Sequence, residues 1–246
     1  YSEASREAVR AQYEGLVDRD FNRPSVIAWS LYNEEWGIGG HREESESLWT
    51  DEAKQAFLAD FFESAGETDP TRLICDNSGW AHVVTDLNDY HEYFVVPDRV
   101  DAWHDRLDEV VADPAGNYAT TDEDGPAPEE VPLVVSEFGT WGFPDVDALV
   151  DHYGGDPHWF DHEFLDGLKR PAGVRERFAA SHLSDAFDDL GALAADWQRR
   201  EFESIAEQIA DMRVHDDVSG YVVTEFTDIE WEFNGMLDYL RRDKAF

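Results

Sequence analysis

A chain of 246 residues is long enough for one sizeable α/β core, and its 42% apolar and 13% aromatic content can fill that core. Acidic residues outnumber basic ones 56 to 19, a formal net charge of −37. That balance excludes nonspecific binding to nucleic acid or to an anionic membrane surface, and the apolar content excludes an acidic disordered tail.

The acid is spread along the whole chain and lysine is scarce. This pattern is expected of adaptation to concentrated salt, which screens the self-repulsion of such a surface; an acidic patch for cations or a basic partner is the other reading. The single cysteine, Cys75, excludes an intramolecular disulfide and any Cys-x-x-Cys metal site. It is expected to be a small buried filler. No apolar run approaches a membrane span and no signal peptide is visible. A cytoplasmic location is the expectation.

Residues 2 to 20 read as an amphipathic helix, with Val9, Tyr13, Leu16 and Val17 at helical spacing. After Pro24 comes a near-continuous apolar run of Val26, Ile27, Ala28, Trp29 and Leu31, broken only by Ser30. Such a run is expected of a strand buried in a parallel sheet. Polarity then changes abruptly at Asn33, Glu34 and Glu35, followed by Trp36. Gly37, Gly39 and Gly40 open a loop. A helix is expected at about 48 to 64, with Ala53, Phe57 and Phe61 on one face. Asp69-Pro70-Thr71-Arg72 reads as a turn, and Leu73 to Asp76 as a short strand. The loop Asn77-Ser78-Gly79-Trp80 follows, and Asp89-Tyr90-His91 reads as another strand end.

Residues 97 to 131 are acidic and rich in Pro and Gly, as in Thr121-Asp122-Glu123-Asp124-Gly125-Pro126, and are expected to be a long surface excursion. Val131 to Val135 restores a buried strand that ends in Ser136-Glu137-Phe138-Gly139. Residues 142 to 192 form a second, partly helical insertion. A helix at about 193 to 213 carries Trp197, Phe202, Ile205, Ile209 and Met212, and Gly220 to Phe226 is the last strand. Strands alternating with helical stretches indicate βα repetition and a parallel sheet.

Polar groups gathered where buried strands end are where a β/α barrel puts its chemistry. Two carboxyl groups brought to one barrel face could divide the work of an acid/base and an ionised partner. Glu34 and Glu137, each at a strand end, are the candidates. Glu34 is then expected to be partly desolvated, beside Trp29 and Trp36, so that its pKa rises and it keeps a proton. Glu137 is expected to stay ionised with help from Tyr90 or His91. Glu35 competes with Glu34 and is expected to make a hydrogen bond or face solvent. His158 and His162 stand four apart, a metal pair if helical, but without an evident third ligand. Gly37-x-Gly39-Gly40 lacks the spacing of a dinucleotide loop, and no Gly-x-Ser-x-Gly elbow is present. No cofactor and no metal are expected.

Arg23-Pro24-Ser25-Val26, Trp29-Ser30-Leu31 and Asn33-Glu34 resemble the acid/base motif of glycoside hydrolase family 2, the β-galactosidase and β-glucuronidase group. Val134 to Gly139 resembles that family's nucleophile motif at the end of strand seven. Val218 to Asp228, with Trp231 and Asn234 to Tyr239, resembles its final strand and exit. The resemblance implies a (β/α)8 TIM barrel, of which 1 to 246 would be the C-terminal portion with strands four to eight. Strands one to three, and further domains, would lie in a longer parent chain. It also implies a retaining glycosidase acting on a terminal β-linked sugar, with Glu34 as acid/base and Glu137 as nucleophile. Glu34 directly follows Asn33, as the motif requires, which selects it over Glu35. Asn33, Asp89, Tyr90, His91, Trp141 and Trp231 would contact substrate. A carbohydrate-binding barrel without turnover is the alternative.

Overall fold

A computed structural model describes residues 1–38, 47–96, 98–120, 126–161 and 170–245. Gly39, Gly40, residues 121–125 and His162, all named above, lie outside the described residues. The principal helices and strands are α1 Glu3–Asp20, β1 Ala28–Asn33, α2 Glu52–Thr68, β2 Leu73–Ser78, β3 Asn88–Tyr93, α3 Val100–Ala112, β4 Leu133–Gly139, α4 Val146–Tyr153, α5 Val174–Ala179, α6 Leu190–Met212 and β5 Val218–Val223. The chain divides into two compact units. The first holds residues 1–92, 105–137 and 212–222; the second holds 93–104, 138–211 and 223–246.

In the first unit, α1 starts at a Ser2 cap whose hydroxyl accepts from Ser5 N, with Ser5 Oγ accepting in return from Ser2 N. Its inward face is Tyr13 and Val17. β1 pairs in parallel with β2, Trp29 opposite Ile74 and Asn33 opposite Ser78. Trp29, Leu31, Ile74, Phe57, Leu58 and Phe61 form the apolar core under this pair. β1 begins two residues later than the apolar run suggests. Pro24 and Ser25 lie in a turn closed by Val26 N on Arg23 O, and Ile27 beyond it is 79% exposed. α2 likewise starts later than expected, at the Asp51 cap. That phase turns Ala53 outward and buries the stem of Lys54.

β3, β4 and β5 form a three-stranded sheet in the order β3-β4-β5. α3 lies within the surface excursion expected over 97 to 131 and gives that part of it helical structure. Trp103, Leu107 and Val110 recur at helical spacing and are buried, while the acidic residues between them mask the stripe in a composition-based reading. Among the described residues there are five strands in two separate sheets and no closed barrel. None of the described helices is long and apolar enough to cross a membrane.

In the second unit, Phe143, Val146, Leu149, Trp159, Phe160, Phe178, Leu193 and Phe233 make an apolar cluster. α6 presents Glu201, Ser204, Ile205 and Gln208 inward and leaves Phe202 40% exposed, so its buried stripe is more polar than its aromatic spacing suggests. Lys244 Nζ sits among Glu201 Oε1 and Oε2, both at 3.1 Å, Asp228 Oδ1 at 2.8 Å and Phe233 O at 2.8 Å.

Candidate active site

The first unit collects its ionisable groups where β1, β2, β3 and β4 end. β1 delivers Glu34, whose backbone N–H donates to Ser78 O at 3.0 Å and so prolongs the parallel ladder by one bond. Glu34 and Glu35 then turn through positive φ, 51° and 60°. That region is costly for residues other than glycine and recurs at functional sites. The Glu35 backbone N–H is held by Asn77 Oδ1 at 2.9 Å, which itself is fixed by Asn77 Nδ2 on Ala81 O at 3.0 Å. This turn puts the two adjacent glutamates in different surroundings. Glu35 is buried at 3% exposure, so it does not face solvent, whereas the Glu34 side chain is half-buried.

β3 supplies His91, whose imidazole is the hub. Its Nδ1 lies 2.7 Å from Glu34 Oε1 and 3.5 Å from Glu137 Oε2, and its Nε2 lies 3.1 Å from Ser78 Oγ. One donor atom from each of Glu34, His91 and Glu137 lies within 4.8 Å of the others. Trp36, 68% exposed, donates its indole N–H to Glu34 Oε2 at 3.2 Å.

The Glu34 carboxyl is held below its ordinary pKa, chiefly by the His91 hydrogen bond; burial opposes this, and Trp36, the charge of His91 and Trp80 add to it. The expected rise is therefore not what this arrangement produces. Burial does push upward, but a bond to the charged form outweighs it.

Beneath His91 lies Asp89, 3% exposed. Its Oδ2 accepts from the hydroxyls of Ser78, at 2.5 Å, and Ser136, and its Oδ1 from Gly79 N at 3.0 Å. Burial alone would raise this carboxyl, but the hydrogen bond and charge of His82, with the Ser136 and Ser78 hydroxyls, hold it down at about 2. His82 is itself buried between two carboxylates, Nδ1 at 2.7 Å from Asp76 Oδ1 and Nε2 at 3.2 Å from Asp89 Oδ1. Burial lowers the His82 pKa, and Asp76 and Asp89 more than offset it, so the net direction is upward. Gly79 has φ +80°, and a Cβ there would come within 2.2 Å of the His91 ring. Only glycine fits that turn beside that imidazole.

The sequence-based candidates thus separate. Glu34, His91 and Glu137 come together. Asn33 is exposed at the end of β1. Asp89 is buried behind His91 and so supports the site from beneath rather than lining it. Tyr90 points the other way, because successive strand residues face opposite sides. It packs with Val110 and Leu133, its ring 5.7 Å from the Arg106 guanidinium, so of the two groups expected to reach Glu137 it is His91 that does. Trp141 and Trp231 belong to the second unit, where Trp231 packs against the apolar cluster and Trp141 O accepts from Trp197 Nε1 at 3.1 Å. Ser78, Ser136 and Trp80 were not singled out from sequence. Cys75, Asp76 and His82 also bring donor atoms within 4.8 Å of one another, and hydrogen bonds such as His82 to Asp76 already account for that closeness.

An α/β framework with two half-buried carboxylates brought together by its strands is the arrangement expected of a barrel glycosidase. Residues 2–141 match the family model described as glycosyl hydrolases family 2, TIM barrel domain; the chain belongs to that family. No curated protein sequence matches it. Among solved structures it is similar to β-glucuronidase from Ruminococcus gnavus. One such structure is 16% identical with a TM-score of 0.56, the match covering 98% of this chain and 34% of that one. The complexes of that enzyme with uronic deoxynojirimycin and with D-glucuronic acid are each 17% identical, with the same TM-score and coverage. The chain thus spans about a third of the length of these structures.

Proposed function

We propose that this chain is the C-terminal part of a retaining glycosidase barrel that removes a terminal β-linked sugar. The observation that carries this reading is the approach of a Glu34 oxygen, a His91 nitrogen and a Glu137 oxygen to within 4.8 Å. Retaining enzymes hold their carboxyls about 5 to 5.5 Å apart, and inverting ones about 6.5 to 9.5 Å. Glu34, drawing on the proton it shares with His91, protonates the glycosidic oxygen as Glu137 attacks the anomeric carbon and the C–O bond breaks. Glu34, now a carboxylate, takes a proton from water as that water attacks the anomeric carbon. The sugar leaves with its configuration retained, and Glu137 is freed.

In this reading residues 1–246 belong to one barrel domain, interrupted at about 97–131 and 142–192. The first three strands and further domains lie in a longer parent chain. The coverage of about a third of the similar structures supports that division. Asn33 hydrogen-bonds a sugar hydroxyl. The protein resides in the cytoplasm. β-Glucuronides are the first substrates to try, with galactosides and mannosides beside them, because one similar structure holds D-glucuronic acid.

The test is a chromogenic β-glycoside screen of the full-length parent at high salt, with Glu137→Gln as the control. Turnover that Glu137→Gln abolishes is expected. Undiminished turnover in that variant would rule out the nucleophile assignment, and sugar binding without hydrolysis would identify a silent carbohydrate-binding barrel.

A further inference from the structure

The groups beneath the carboxylate pair have fewer protons than contacts that need one. A serine hydroxyl owns one proton, and an ionised carboxylate can only accept. Asp89 Oδ2 takes the Ser78 proton across 2.5 Å and the Ser136 proton as well. Ser78 Oγ therefore has nothing left to give His91 Nε2, 3.1 Å away. That contact is a hydrogen bond only if Nε2 carries the hydrogen and Ser78 accepts it. A neutral imidazole has one N–H, so His91 Nδ1 is then bare. Yet Nδ1 faces Glu34 Oε1 at 2.7 Å, a separation that two bare acceptors do not hold.

We propose that Ser78, anchored by the buried Asp89, is a positioning residue that fixes His91 with its hydrogen on Nε2, so that Nδ1 is the atom that shares a proton with Glu34. That proton sits on Nδ1, as an imidazolium–carboxylate pair, or on Oε1, as a neutral acid beside a neutral imidazole. The consequence for turnover rests on the reading of Glu34 as the acid/base, but the tautomer itself does not. Among the described residues, four carboxylates bear on the His91 ring: Glu34 after β1, Glu137 on β4, Glu92 on β3, which feels the His91 charge, and Asp89 behind Ser78. Asp89 is held ionised at about 2, so its grip on the Ser78 proton persists across the range in which a histidine titrates. Gly79 keeps the ring in place from below, with no room for a side chain.

The test is long-range proton–nitrogen correlation NMR on the whole 246-residue chain labelled with ¹⁵N-histidine, with His91→Gln to assign the signals. Wild-type protein should give a pyrrole-like Nε2 and, when His91 is neutral, a pyridine-like Nδ1. Ser78→Ala should shift neutral His91 toward the Nδ1–H form or a mixture, and Ser78→Thr, which keeps the hydroxyl, should restore the wild-type pattern. A neutral wild-type His91 with its hydrogen on Nδ1 would overturn the proposal, as would an unchanged pattern in Ser78→Ala. Should Ser78→Ala fail to fold, the wild-type tautomer alone decides. The readout needs no turnover, so a full-length parent that hydrolyses no glycoside would sink the glycosidase reading while the expected tautomer in this chain would leave the present one standing.

Discussion

Removing the Asp69 carboxylate tests how firmly the strand carrying Glu34 is tied to its neighbours. Asp69 is fully buried at the end of α2. It accepts from Trp29 Nε1 at 2.8 Å, Thr71 N at 3.0 Å, Thr71 Oγ1 at 2.5 Å and Arg72 Nη1 at 2.6 Å. Asp69→Ala leaves these donors unequal. Thr71 is exposed, so water replaces the lost acceptor. Arg72 keeps Val26 O at 2.7 Å and Phe21 O at 2.5 Å. Trp29, 5% exposed, has no such recourse.

An orphaned buried donor costs about 1–3 kcal/mol, and the lost charge-assisted bond to Arg72 adds about 1–2 kcal/mol. The expected loss is therefore about 3 kcal/mol, within the range for breaking a buried ionic network. Asp69→Asn, which keeps an acceptor for the indole, should cost about half as much. In a Trp29→Phe background the Asp69→Ala penalty should shrink by about 1 kcal/mol.

The pH dependence has a definite sign. Burial would raise the Asp69 pKa, but the bonds from Thr71, Trp29 and Arg72 depress it below its unfolded value. The stabilisation is thus present above the unfolded pKa and lost as pH falls, and Asp69→Ala should blunt acid sensitivity. Urea unfolding followed by circular dichroism checks both effects. A midpoint equivalent to within about 0.5 kcal/mol of wild type would refute the reasoning.

Gly79→Ala should displace the His91 ring, since a Cβ there meets it at 2.2 Å; a His91 NMR signal identical to wild type would contradict this. The second unit should lose stability as pH rises from about 4 to about 8, because burial raises the Glu201 pKa to about 8 and that of Asp228 to about 6, with Lys244 opposing in both cases. The folded state then binds more protons than the unfolded chain across that window. Glu201→Gln should flatten the slope of melting temperature against pH, and an equally steep slope would refute the assignment. With a net charge of −37, the melting temperature should climb as salt is raised toward molar concentration. A flat response would remove the case for salt adaptation.

Sequence pattern is informative here where a buried run meets a carboxylate. Trp29 to Glu34 and Val134 to Glu137 announce where two strands bring carboxylates to the site, because an apolar run meets a carboxylate locally, although β4 itself runs on to Gly139. α3 is hidden, since its stripe of Trp103, Leu107 and Val110 is sparse among acidic residues. The start of β1 is misplaced because Val26 and Ile27 look like core but follow a turn at the sheet edge. The proton-sharing layer of Ser78, Asp89, His91 and Ser136 joins residues from three strands by hydrogen bonds to single oxygens, and no spacing in the chain encodes that. The direction of the Glu34 shift is hidden for the same reason. Burial can be guessed from a neighbouring tryptophan, but a bond from His91, distant in sequence, cannot.

The most direct measurement is peptide mapping by mass spectrometry after the full-length parent has been incubated with an activated 2-fluoro β-glycoside, which stalls a retaining enzyme at its glycosyl intermediate. The label is expected on Glu137 and on no other residue. Labelling of a different carboxylate, or turnover of β-glycosides with Glu137 left unmodified, would contradict the central claim that Glu34 and Glu137 form the catalytic pair.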